Sequence, residues 1–352
     1  MAVSDDFRVA MWRDVLMLSK VNRGESVIIL TGENSNLQNL DAATRASLAL
    51  GAQAFRVDLP PIQPQSFMGS DRTLNVGTTP LTGQAVALDV LKRAGMIIDL
   101  MGLLHSPEQL AILKAGTRIL MAVEPPDILA KMIPSPDDKR RVMAADSRLR
   151  KAKTMHVTSK AGTNLTMALG QFGTLPEYGY ADEAGHWDHW PSGFTSTWPN
   201  EGSANGRVVI DVGDMLLPFK MYVSSPIVLD IKDGYIRNIE GGFEAKYLRQ
   251  HMESYEDPGA FGIAHIGWGL QTKAQWTGLG MRDKAQSLCM DARSYYGNFL
   301  FSTGPNAEAG GSNESACHVD IPMGQCSVSL DGEPMTIDGK VVAPDQCAAV
   351  AA

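Results

Sequence analysis

A change of periodicity near residue 153 constrains this chain more than any other feature. Before it, short apolar runs alternate with helical stretches. A helical period over residues 7–19 leads to the run 26–31, and another over 40–50 leads to 54–59. The pattern continues as a helix near 84–93, a buried-type strand over 96–101, a helix over about 107–114 and a strand over 118–123. Apolar runs separated by helices of this length predict βαβ units and a mostly parallel sheet. Ser135-Pro136-Asp137-Asp138 reads as a helix start, with a capping serine, proline at the first helical position and acids in the first turn. That helix ends in a basic run, Arg148, Arg150, Lys151 and Lys153, read as cations at a helix C-terminus rather than a phosphate site.

After residue 153, short alternating strands meet tight turns at Lys232-Asp233-Gly234, Asp331-Gly332 and Asp338-Gly339, a hairpin grammar. One helix, 243–255, interrupts them. The segment 171–206, rich in glycine, proline and aromatics, reads as loop, and the alanine-rich tail after Pro344 as frayed. The expected architecture is an α/β N-terminal domain with a mostly parallel sheet, residues 1–152. An α+β, hairpin-rich C-terminal domain follows over 153–344, then a flexible tail over 345–352.

Charge narrows the partners. Lys plus Arg total 31 against 39 Asp plus Glu, a formal net charge of −8. An acidic chain without long basic runs is poorly suited to nucleic acid or to an anionic membrane surface. The longest near-apolar run, 94–104, is too short to span a bilayer and is broken by Asp99. Asp5, Asp6 and Arg8 stand where an export signal would be apolar. Four cysteines without a CxxC pair read as reduced thiols, and the expected location is the cytoplasm.

Familiar catalytic signatures are absent: no Walker A loop, HExxH or GxSxG occurs, and Gly267-Trp268-Gly269 lacks the third glycine of a dinucleotide fingerprint. Seven histidines remain. Three begin a His-x-carboxylate triplet, at His186-Trp187-Asp188, His251-Met252-Glu253 and His318-Val319-Asp320. Close to one such triplet is expected by chance from this composition, so geometry must separate them. Residues i and i+2 share a face in a strand and diverge in a helix. His251 and Glu253 lie in the 243–255 helix and read as structural or surface residues. His186 and Asp188, with His189 beside them, read as a pocket wall or interface in the tryptophan-rich loop. His318-Val319-Asp320 falls in a strand-like stretch, where imidazole and carboxylate project together. His265, among glycines that permit close backbone approach, is the natural third ligand. Two histidines and a carboxylate form the facial triad of non-haem Fe(II) oxygenases, with positions left open for other ligands. Core histidines beside a surface aspartate fit the same residues, and both readings stand at this point.

Longer strings add a resemblance. Leu103-Leu104-His105-Ser106-Pro107-Glu108, Ala122-Val123-Glu124-Pro125-Pro126, Glu177-Tyr178-Gly179-Tyr180-Ala181-Asp182-Glu183, Trp187-Asp188-His189-Trp190-Pro191-Ser192-Gly193-Phe194, His265-Ile266-Gly267-Trp268-Gly269-Leu270, Tyr296-Gly297-Asn298-Phe299-Leu300-Phe301-Ser302-Thr303-Gly304-Pro305 and His318-Val319-Asp320-Ile321-Pro322 resemble the 2,5-dihydroxypyridine 5,6-dioxygenase family, to about Pro344. The resemblance implies an Fe(II) enzyme of nicotinate and nicotine degradation that opens 2,5-dihydroxypyridine with O2 to N-formylmaleamate. It implies His265, His318 and Asp320 as metal ligands. It also implies a homo-oligomer. A general acid/base is needed for the substrate hydroxyls. His105, which follows the 96–101 strand, is the choice, since open α/β sheets bind ligands at the carboxyl ends of their strands. Leu104 is read as an apolar wall for the ring, Ser302 as a hydrogen-bond partner of a ring substituent, and Glu177 and His189 as further pocket residues.

The C-terminal half is also distantly similar to two-metal peptidases of the thermophilic leucyl aminopeptidase type, the alternative function. Two of that family's glutamate ligands meet Phe194 and His265 here, and a histidine meets Leu300 or its neighbour. Fewer carboxylates and an added imidazole shift the preference from hydrolytic ions toward iron. A non-catalytic binding protein is the third reading.

Overall fold

The computed structural model describes residues 3–61, 75–76, 79–104, 106–281, 283–284 and 287–349. The chain divides into two compact units. One comprises Met1–Pro136, Glu177–Ser192 and Arg282–Met290; the other comprises Asp137–Pro176, Gly193–Met281 and Asp291–Ala352.

In the first unit the apolar runs form one all-parallel sheet. Its order is Trp187–His189, Arg118–Met121, Met96–Asp99, Ser26–Thr31, Gln53–Asp58. The Met96–Asp99 and Arg118–Met121 strands are buried at every residue, which is why they read as continuous apolar runs rather than alternating ones. Ile28, Leu30, Ile97, Ile119 and Met121 anchor this core. Each such side chain contributes about 1.5–3 kcal/mol by leaving water. The intervening helices start where side chains satisfy their first N–H groups. Asn36 accepts from the N–H of Gln38 and Asn39 ahead of Leu37–Ala49, and Ser106 accepts from Gln109 ahead of Pro107–Lys114.

The second unit is built on antiparallel pairing. An eight-stranded sheet runs Tyr235–Gly241, Ile227–Lys232, Asn205–Ile210, Asn164–Ala168, Thr154–Ser159, Cys326–Leu330, Glu333–Ile337, Lys340–Val341. Its three two-residue hairpins turn at Asp233-Gly234, Asp331-Gly332 and Asp338-Gly339. All six residues have positive φ, as a type I′ turn requires. The helix Phe243–Glu253 buries Ala245, Leu248 and Met252 and packs on the Tyr235–Gly241 strand. A second sheet places Ile263–Gly269 between Phe299–Thr303 and Phe194–Thr197. Val319–Met323 lies beyond Phe299–Thr303, and Thr174–Glu177 forms the opposite edge.

Three expectations change. The 171–206 segment is not simply loop: Thr174–Glu177, Trp187–His189 and Phe194–Thr197 cross it as strands of three or four residues. Such strands are too short to show a period among so many glycines and prolines. The boundary expected at 152/153 also moves, because the helix Pro136–Leu149 lies almost wholly in the second unit. There, buried Arg141 donates to the Leu270 carbonyl, and Arg148 pairs with Glu333 and Asp345. Residues 177–192 and 282–290 return to the first unit, so neither unit is continuous in sequence. Finally, the tail is anchored through its first turn. Buried Gln346, in the 3-10 turn Pro344–Gln346, accepts from Trp268 Nε1 at 2.9 Å. Among the described residues no helix is long and apolar enough to cross a membrane.

Candidate metal centre

Three neighbouring strands of the second unit's five-stranded sheet carry the centre. Phe299–Thr303 lies between the other two and pairs with Ile263–Gly269 on one side and Val319–Met323 on the other. Ile263 stands opposite Thr303 but Ile266 stands opposite Phe301, so Ala264-His265 forms a bulge. An extra residue in one strand re-aims the side chains around it. The Ser302 hydroxyl donates to the His265 carbonyl, tying the bulge to the central strand. Gly267 is required next to it, because a Cβ there would run into the Thr195 carbonyl. On the other side, Asp320 stands opposite Ser302, and His318 lies two residues earlier at the strand's entry.

This arrangement brings His265, His318 and Asp320 together. Nε2 of His265 lies 3.3 Å from Nε2 of His318 and 3.3 Å from Oδ1 of Asp320, and His318 Nε2 lies 3.4 Å from the same oxygen. Among the described residues this is the one group of three with metal-ligand spacing. Metal–ligand lengths of about 2.1 Å place neighbouring donors about 3.0 Å apart at a right angle and about 3.4 Å apart at the tetrahedral angle. The observed triangle therefore has the size of one face of a coordination polyhedron. Its chemistry fits as well: Asp320 Oδ1 is buried, makes no well-formed hydrogen bond and faces both imidazole nitrogens, a donor set that a cation would join.

The surroundings set the charge. Burial alone would raise the Asp320 carboxyl, but the Arg293 guanidinium, with His318 and His265, holds it well below the usual carboxylate range. Arg293 Nε lies 3.2 Å from Asp320 Oδ2, whereas the histidine contacts are to Oδ1, and the guanidinium covers the Phe194 ring at 5.4 Å. Burial would lower His318, yet Asp320 beside it leaves the imidazole above its ordinary value. Phe194 and Trp198 meet the His265 ring edge-to-face, at 6.5 and 6.1 Å between centroids. These aromatic walls favour direct charge–charge and charge–metal interactions by keeping water away. Arg293 and Trp198 were not singled out from sequence. Arg293 carries no local signal, because its partner lies 27 residues further along the chain.

The remaining expected site residues divide between the units. Ser302 is in the second unit and fully buried. With its proton committed to the His265 carbonyl, it can meet a substrate only as an acceptor. Leu104, Glu177 and His189 are in the first unit. Leu104 is buried in the short strand Leu103–Leu104. His189 Nε2 and Glu177 Oε2 are 3.5 Å apart, both essentially inaccessible. Beside them burial, reinforced by Glu177, raises the Asp188 carboxyl well above its usual range despite N–H groups donated by Tyr178 and His189. His105 lies outside the described residues. His251 packs against Phe219 and Tyr255.

Comparison with known proteins places the whole chain in a family. Residues 8–343 match the family described as NicX, 2,5-dihydroxypyridine 5,6-dioxygenase. The chain belongs to the 2,5-dihydroxypyridine 5,6-dioxygenase family. A family member from Pseudomonas putida strain KT2440, named 2,5-dihydroxypyridine 5,6-dioxygenase, is 51% identical over 346 residues, 98% of this chain and 99% of that protein. A solved structure of 2,5-dihydroxypyridine dioxygenase from the same strain superposes with a TM-score of 0.96 at 50% identity, covering 98% of this chain and all of that one. Wild-type AmpT from Thermus thermophilus shares the fold more distantly, with a TM-score of 0.63 at 15% identity over 97% of this chain and all of that one. The α/β plus α+β architecture expected from sequence is therefore the family's own. The AmpT likeness shows fold alone and lends the peptidase alternative no support.

Proposed function

We propose that this protein opens the ring of 2,5-dihydroxypyridine between C5 and C6 with O2, giving N-formylmaleamate, and that His265, His318 and Asp320 hold Fe(II) for the reaction. The observation that carries the metal assignment is the convergence of two imidazoles and one carboxylate oxygen, 3.3–3.4 Å apart, from the two strands that flank Phe299–Thr303. Family membership supports the substrate.

A redox-active ion at this triad supplies the spin-allowed route by which ground-state dioxygen reacts with a closed-shell aromatic, a route closed to Zn(II). The chain's residues supply the rest. His265 and His318 would hold the ion through Nε2 as neutral donors, and Asp320 would contribute one negative charge. His105 takes and returns the substrate's hydroxyl protons, the acid/base work the ring opening needs. Ser302 accepts a hydrogen bond from a ring substituent, Leu104 lies against the ring, and Glu177 and His189 bind its polar edge. The reading includes a homo-oligomer and a cytoplasmic location, the latter supported by four free cysteines.

The deciding experiment loads metal-free protein with Fe(II) anaerobically and then measures oxygen uptake with 2,5-dihydroxypyridine. Uptake matched to substrate loss, abolished by chelator or oxidant, is the expected result. Cleavage of aminoacyl reporters with Zn(II), Co(II) or Mn(II), and no oxygen uptake, would overturn it.

A further inference from the structure

Arg293 touches none of the three Nε2 and Oδ1 atoms that face one another, yet it is built into the centre. The Asn298 side chain accepts from the Gly269 N–H and donates to the carbonyls of Ala292 and Arg293, all buried, so the arginine's backbone is tied to the end of the strand that carries His265. Phe194 supports the guanidinium from the face of its ring. The guanidinium then meets Asp320 on Oδ2, while Oδ1 faces the histidines. A carboxylate free on both oxygens can chelate one ion or bridge two. Here one oxygen lies 3.2 Å from Nε of a guanidinium held over Phe194, an ion pair without a well-formed hydrogen bond, so a second positive charge on that side is disfavoured. The charge count follows. Two neutral imidazoles, one carboxylate and one guanidinium sum to zero, so a divalent ion at the triad keeps its full charge of two.

We infer that Arg293 is a positioning and specificity-determining residue that cancels the charge of Asp320, limits it to one ligand oxygen, and keeps the metal electron-poor so that it favours an anionic aromatic oxygen as its next ligand. The inference rests on the proposed metal-dependent function. It carries an unusual sign. Outer partners of metal ligands that act as scaffolding typically cost 10- to 100-fold in metal affinity when removed. A buried cation beside a dication instead opposes the metal through charge, and Coulomb energy inside a poorly solvated site falls slowly with distance. Its removal strengthens metal binding and weakens binding of an anionic substrate.

The experiment compares wild-type protein, Arg293→Gln and Arg293→Lys. Competition with a chromophoric chelator measures Mn(II) and Fe(II) affinity and stoichiometry. Anaerobic titration of the Fe(II) protein with 2,5-dihydroxypyridine, followed by absorbance, measures substrate affinity without turnover. Arg293→Gln should bind metal about tenfold more tightly or better and the substrate about tenfold more weakly, while Arg293→Lys stays near wild type on both. Arg293→Gln losing metal affinity makes the arginine a scaffold and overturns the inference, as does unchanged substrate affinity. Failure of the wild-type protein to bind one ion per chain would instead sink the proposed function beneath it.

Discussion

Replacing Asp320 with asparagine tests the charge balance of the centre without a metal. The substitution nearly keeps shape but strands Arg293, whose side chain is 10% exposed against 14% for Asp320. Breaking a buried ion pair by removing one partner costs about 3–5 kcal/mol, because the surviving charge stays desolvated. Residual exposure on both sides places the cost at the lower end, about 3 kcal/mol. That is a large share of the ~5–15 kcal/mol that keeps a protein folded. The double variant Asp320→Asn/Arg293→Gln no longer buries an unpaired cation, so it should recover at least ~1 kcal/mol of the loss. The assay is urea unfolding of the metal-free proteins, with fluorescence and circular dichroism followed together to check that the transitions coincide. A loss below ~1 kcal/mol in Asp320→Asn, or a double variant as unstable as the two singles added, would refute the reasoning. The pH dependence has a defined sign. Asp320 is held below its unfolded value, so its stabilisation is complete above about pH 4 and is lost as acid protonates it. Asp320→Asn should lack that part of the acid limb.

The other predictions concern single groups. His318→Ala and Asp320→Ala should each abolish stoichiometric metal binding, measured by elemental analysis after gel filtration, and full retention would remove that residue from the triad. His105→Ala should keep its metal while turnover falls about 100-fold or more, and loss of metal would reassign the histidine as a ligand. Asp99 is fully buried and accepts the N–H groups of Met101, Gly102 and Leu103, yet burial outweighs them and raises its carboxyl to about 6. The folded protein therefore holds a proton that the unfolded chain releases near pH 4, and this group's contribution to stability declines as pH rises from about 4 to about 6. A carboxyl-carbon NMR titration should show a midpoint near 6, and a midpoint below 4 would contradict it.

What was legible in the sequence was what short-range physics dictates. Asp-Gly, like Asn-Gly and Gly-Gly, adopts positive φ at both positions more readily than most dipeptides, and the three hairpins turn where those pairs stand. The buried parallel strands announced themselves as apolar runs, and the helix Pro136–Leu149 through the proline and acids of its first turn. Strand period alone put His318 and Asp320 on one face, and their ligand atoms meet at 3.4 Å. Only the tertiary structure decided which distant segments share a sheet. Trp187–His189 is the edge strand of a parallel sheet whose first strand starts at Ser26, and Pro136–Leu149 lies almost wholly in the second unit. The same holds within the centre. The bulge at Ala264-His265 exists only relative to the pairing of Ile263 with Thr303 and Ile266 with Phe301, and Arg293 acquires its partner only when Val319–Met323 pairs beside Phe299–Thr303. Local sequence carries backbone preference and side-chain period. Register, burial and charge pairing are properties of the folded surface against which each segment packs.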